Sequence, residues 1–198
     1  MNKYKNMSDE SLAQCYMDGD VKAFDEILAR YQSDLFSYFL YIVKNEDEAN
    51  ELFQETFVKM VVHMQNRRYK SMGLFRYWLL RIAHNVLADR MRRCDFRLMK
   101  DANSDNDLSL LYSDTITVDS YEAEIMRMQT YDTLYDMVDQ LPAEQREMVY
   151  LHYFEGLTFR EIAEIMGVSI NTALGRMRYA ILNMRRIAEE NNIVLTAI

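Results

Sequence analysis

Near the C-terminal end of this 198-residue chain lies a cluster of side chains suited to touching nucleic acid: Asn171, Thr172, Leu174, Arg176 and Arg178. Amide, hydroxyl and guanidinium groups hydrogen-bond base edges and phosphates. Leucine can meet a thymine methyl. The surrounding residues supply the elements that would hold this cluster. Thr158 and Glu161, three residues apart, form a capping box that starts a helix with Ile162, Ala163 and Met166 facing inward. Gly167 suits its C-terminus, and Ser169 can cap a second helix with Ala173 and Met177 inward. Asn171, Thr172, Leu174, Arg176 and Arg178 are then expected to point away from the shared core. Two short helices, a tight turn and a polar outer face are the layout of a helix-turn-helix, whose second helix enters the DNA major groove.

A net charge of −8 argues against nucleic acid until the charge is followed along the chain. Residues 67–100 hold ten basic and two acidic residues, and both flanking stretches are strongly acidic. A basic block of this density is a candidate polyanion surface inside a chain that would otherwise repel DNA.

Other chemistries find little support. His63, His84 and His152 are isolated, without a nucleophile pattern, metal-ligand spacing or a phosphate-cradling glycine loop, so neither an enzyme nor a metal site is expected. His84 is expected to face a helix surface or the DNA backbone. Cys15 and Cys94 form no CxxC or disulfide framework, which points to a reducing compartment. The N-terminal sequence lacks an apolar leader, and no run approaches 18 uncharged apolar residues, so a cytoplasmic protein is expected.

One proline and five glycines favour helices, making all-α the expected class. Ser8 caps a first short helix. Gly19-Asp20 breaks it, and Phe24, Ile27, Leu28, Tyr31, Leu35, Tyr38 and Phe39 recur at the steps of a long amphipathic helix. Asn45 begins the next, with Leu52, Phe53, Phe57, Met60 and Val61 inward and an outer face of Glu48, Glu51, Gln54 and Glu55. After a polar segment ending at Gly73 comes a helix that is both amphipathic and basic, with Trp78 on its apolar stripe. From about Leu98 the period dissolves into an Asp-, Ser- and Asn-rich stretch, and it resumes near Tyr121. The expected architecture is two small helical domains joined by a flexible acidic linker, divided as 1–97, 98–119 and 120–198.

With both halves in view, the chain resembles an extracytoplasmic-function (ECF) sigma factor, the compact branch of the sigma-70-type bacterial RNA polymerase subunits. Four segments carry the resemblance in order: MDGDVKAFDEIL, EANELFQETF, FRYWLLRIAHNVLADRMRR and the stretch from Leu141 to Arg186. It implies a region 2 bundle in the first domain and a region 4 helix-turn-helix in the second. It further implies that Glu51, Gln54 and Glu55 bind the polymerase core, and that Asn85 and Asp89 lie on the helix that reads and melts the minus-ten element. Tyr69 falls in the loop where a flipped base stacks. Arg67, Arg68, Lys70, Arg81, Arg90, Arg92 and Arg93 are the phosphate candidates. Ser169 to Arg178 would read the minus-thirty-five element, with Leu174 and Gly175 standing where the family usually has lysine and serine, and Tyr179 where a basic residue is common. The implied partners are core polymerase, promoter DNA and a membrane-bound anti-sigma factor, with no cofactor and no small-molecule substrate. The neighbouring basic and acidic blocks suggest a linker that shields the minus-ten helix until polymerase separates the domains. The competing class is a stand-alone helix-turn-helix regulator, which would bind its operator unaided as a dimer.

Overall fold

The computed structural model describes residues 3–70, 73–101, 134–191 and 193, and side chains at 94–101 lie outside that description. Every described element is helical. A single 3-10 turn, Lys3–Asn6, leads into α1 (Asp9–Met17), α2 (Val21–Val43), α3 (Glu46–Gln65) and α4 (Phe75–Asp101). A helix α5 is described over 134–139, followed by α6 (Ala143–Val149) running into a π-helical turn at Tyr150–Phe154, then α7 (Phe159–Met166) and α8 (Ile170–Glu190).

The local signals determine the helix starts. Ser8, Asp20, Asn45, Thr158 and Ser169 each sit in extended backbone and accept a hydrogen bond from an N–H in the first turn that follows. At Thr158 the box is reciprocal: Glu161 accepts from both the hydroxyl and the backbone N–H of Thr158. Gly167 closes α7 in the left-handed region (φ 64°), where a side chain would be strained. Pro142 is the N-cap of α6. Helix α4 continues to Asp101, four residues beyond the boundary drawn at 97, and the remainder of the expected linker falls outside the described residues.

Helices α1 to α4 enclose a core of Leu12, Ile27, Leu35, Phe39, Leu52, Met60, Leu79 and Leu87. Its N-terminal end is tied by Arg30, whose guanidinium donates to the carbonyls of Met7, Tyr4 and Lys5 and to Asp9, with Glu26 also within reach. Helices α6 to α8 enclose a second core around Met148, Leu151, Ile162, Ile165, Ala173 and Ala180. The two bodies pack directly on one another, α2 on α6 and α4 on α7. Tyr38 packs edge-on and Tyr41 tilted against Tyr150 across this junction, with ring centroids 5.3 and 5.2 Å apart.

Candidate nucleic-acid and polymerase interface

The capping hydroxyl of Ser169 accepts from the N–H of Thr172 at 3.0 Å and bonds the Thr172 hydroxyl at 2.8 Å. Both side chains therefore frame the start of α8. Beyond them Asn171, Leu174 and Arg178 are exposed, and at helical spacing they share one face with Leu182 and Arg185. Arg176 does not share it. Its guanidinium turns sideways to Glu144 of α6, 2.9 Å away, so the expectation that Arg176 points outward is corrected by this cross-helix pair. At Gly175 an added Cβ would meet no atom within 4 Å, so packing within the fold does not demand glycine there.

On α4, Asn85 and Arg81 are exposed, as are Arg93 at its far end and Lys70 in the segment before it. Asp89 and Arg92 pair at 2.6 Å. Asp89 also lies 3.6 Å from Lys59 of α3, which itself pairs with Glu55 at 3.0 Å. Arg90 reaches Glu51 at 2.6 Å. The acidic face of α3 and the basic face of α4 are thus cross-linked by ion pairs, with Lys59 as a bridge that sequence spacing gave no reason to select. Gln54 is exposed beside them.

Two expectations are corrected here. Tyr69 is 6% exposed, and its ring packs 4.5 Å from Trp78 and 5.5 Å from Phe75. In this conformation it belongs to an aromatic cluster instead of presenting a face to a base. The loop's sequence shows the tyrosine but not the two rings that cover it.

His84 is the second correction: it is 9% exposed, not on a surface, and its Nδ1 lies 2.7 Å from Oε1 of Glu147. The same oxygen accepts from the Tyr38 hydroxyl. Burial first, and the adjacent Glu147 charge second, hold the Tyr38 phenol well above its ordinary pKa, so it stays a donor. Glu147 had no sequence signal, because its partners lie 63 and 109 residues away.

Further polar contacts line the same junction. Arg76 meets Glu155 at 2.7 Å, and the Tyr77 hydroxyl donates to the Glu161 carbonyl and lies 3.0 Å from Glu164. Lys44 pairs with Asp139. Beside Glu147 a cleft of about 210 Å³ is lined by residues of α4 and of the helix-turn-helix body, including both Arg92 and Arg176. Among the described residues no group of three or more His, Cys, Asp or Glu side chains could hold a metal ion, and no helix is long and apolar enough to cross a membrane.

Comparison with known proteins follows the same division. Residues 27–96 match the family model for sigma-70 region 2, and residues 131–176 match that for sigma-70 region 4. The chain is 28% identical over 171 residues to the RNA polymerase sigma-H factor of Pseudomonas aeruginosa, covering 85% of this chain and 88% of that one. It is 26% identical over 145 residues to the ECF RNA polymerase sigma factor SigM of Bacillus subtilis, covering 73% and 82%. Its fold matches that of the sigma factor RpoE in the co-crystal structure with the anti-sigma factor NepR from Bartonella quintana, with a TM-score of 0.60 at 18% identity over 85% and 98% of the two chains. Two region matches in the expected order, one on each helical body, place this chain in the sigma-70 family as an ECF sigma factor.

Proposed function

We propose that this chain directs core RNA polymerase to specific promoters and helps open them, acting as a specificity subunit and not as a catalyst. Glu51 and Gln54, exposed on α3, and the half-buried Glu55 offer carboxylate and amide acceptors to basic groups on the polymerase. Helix α4 offers Asn85 and Asp89 for an unstacked base of the minus-ten element and Arg81, Arg90, Arg92, Arg93 and Lys70 for the backbone. Tyr69 could stack on that base only after its loop leaves Phe75 and Trp78. Asn171, Leu174, Gly175 and Arg178 meet the minus-thirty-five element as duplex, Ser169 and Thr172 shape the helix start, and Arg176 joins them once it leaves Glu144. The working division is a region 2 domain over 1–97, a tether beginning near 98 and a region 4 domain from 120, with the α4 helix reaching Asp101. A membrane-bound anti-sigma factor is the regulator proposed for it, acting in the cytoplasm.

The observation that carries this reading is the exposed stripe Asn171–Leu174–Arg178 on a capped helix, paired with a second, basic reading helix on a separate body. Run-off transcription with purified core polymerase on a genomic fragment library tests it. Promoter-specific transcripts that appear only when the chain is present are expected. Tight binding of the lone chain to a palindromic operator, without any effect on polymerase, would replace this reading with that of a stand-alone regulator.

A further inference from the structure

The junction between the two bodies holds a buried carboxylate, and that is the feature with most to say about control. Among the described residues the buried polar side chains are Thr56, His84 and Glu147; Thr56 bonds its own helix, whereas the other two face each other across the junction. Glu147 is 2% exposed on α6, and both of its donors, Tyr38 on α2 and His84 on α4, come from the other body. A charge out of water is tolerated only while its donors stay in place, and water can solvate it fully once the bodies part. The contact is therefore strong when intact and readily exchanged for hydration when strained.

The same contact sits beside two of the arginines proposed to meet DNA. Arg92 of α4 and Arg176 of α8 line one cleft of about 210 Å³ next to Glu147, too small to admit a duplex. The two promoter elements, about 25 base pairs apart by name, are separated by roughly 80 Å of B-form helix, which bodies in direct contact cannot span. Resting on the reading of the chain as a promoter-binding subunit, we infer that Tyr38, His84 and Glu147 form an interdomain clasp that keeps the free chain closed and its two DNA-reading helices from acting together. The clasp is separate from shielding by the acidic stretch that follows α4, since it needs none of those residues.

Two variants push the clasp in opposite directions. Tyr38→Phe removes one donor and leaves a dry carboxylate short of partners, so the bodies should part. Tyr38→Phe combined with Glu147→Leu replaces the charge with apolar volume and should close them again. Dyes on Lys22 and Arg186, one on each body, report the separation by energy transfer. Binding of the free chain to a random-sequence duplex reports access, because this term depends on phosphate contacts and not on sequence. The single variant is expected to lower transfer efficiency and to bind the duplex about ten-fold more tightly, with the double variant returning both towards the parent. Circular dichroism checks that each variant is folded. If Tyr38→Phe disrupts folding, Glu147→Lys, which places a cation against the two donors, is the opening variant. Unchanged transfer in a folded opening variant, or opening without any gain in duplex binding, overturns the clasp. Run-off transcription by the parent chain tests the underlying reading separately, so either can fail alone.

Discussion

Gly175 separates stability from function at a single residue. It sits in the second turn of α8 with open space where a side chain would be, so Gly175→Ala should stabilise the fold by about 0.5–1 kcal/mol through helix propensity. If the position serves close approach of DNA, the same change should weaken promoter binding. Thermal melts and promoter-binding assays on one variant read the two effects, and a gain in both would remove Gly175 from the interface. Arg178 and Arg176 are a second informative pair. Arg178→Ala should flatten the salt dependence of holoenzyme–promoter binding by about one unit of slope if it neutralises one phosphate. For Arg176→Ala the change should be smaller, because Glu144 competes for that guanidinium. At Glu161, the Thr158 hydroxyl and then its backbone N–H hold the carboxyl below its ordinary range. A depressed folded value means the stabilisation is complete above the unfolded carboxylate range and is lost as pH falls through the folded value. The stability difference between the parent and Glu161→Gln should accordingly shrink on acidification, as followed by melts across that range. Caps of this kind were legible in the sequence because every partner lies within three residues.

Between elements, the loop before α4 and the α3–α4 face are where melting is proposed to occur. Trp78 is the sole tryptophan, and it packs on Tyr69. If that loop opens to take up a base, tryptophan emission of the isolated chain should change when a minus-ten single strand is added, and Asn85→Ala should reduce the response. In the holoenzyme the same variant should slow open-complex formation more than initial closed binding; equal loss in both would remove Asn85 from base capture. The pairs Glu51–Arg90 and Glu55–Lys59–Asp89–Arg92 make the acidic face of α3 and the basic face of α4 share charges. Periodicity revealed each face separately, since a helical stripe is a local property. Which stripe pairs with which is set by how α3 and α4 cross, and no spacing in the sequence specifies that.

For the whole chain, the order of helices and the presence of two helical bodies were legible from breakers, caps and periodicity, and the packing of one body on the other was not. Tyr38 fitted the inward stripe of α2 whatever its hydroxyl met, and nothing in the residues around Glu147 marks it for burial. Their contact crosses 109 residues of sequence. The expected route to a silent free chain was attraction between an acidic tether and a basic helix, whereas the described bodies meet through their own side chains.

The knot at Arg30 has a practical consequence for anyone trimming this protein. Deleting Lys3–Asn6 would strip the guanidinium of the Tyr4 and Lys5 carbonyls and remove the Tyr4 hydroxyl that donates to Asp20, the residue that starts α2. A purification handle fused ahead of these residues preserves every one of those bonds, whereas a truncation beginning at Ser8 loosens α1 and α2 together.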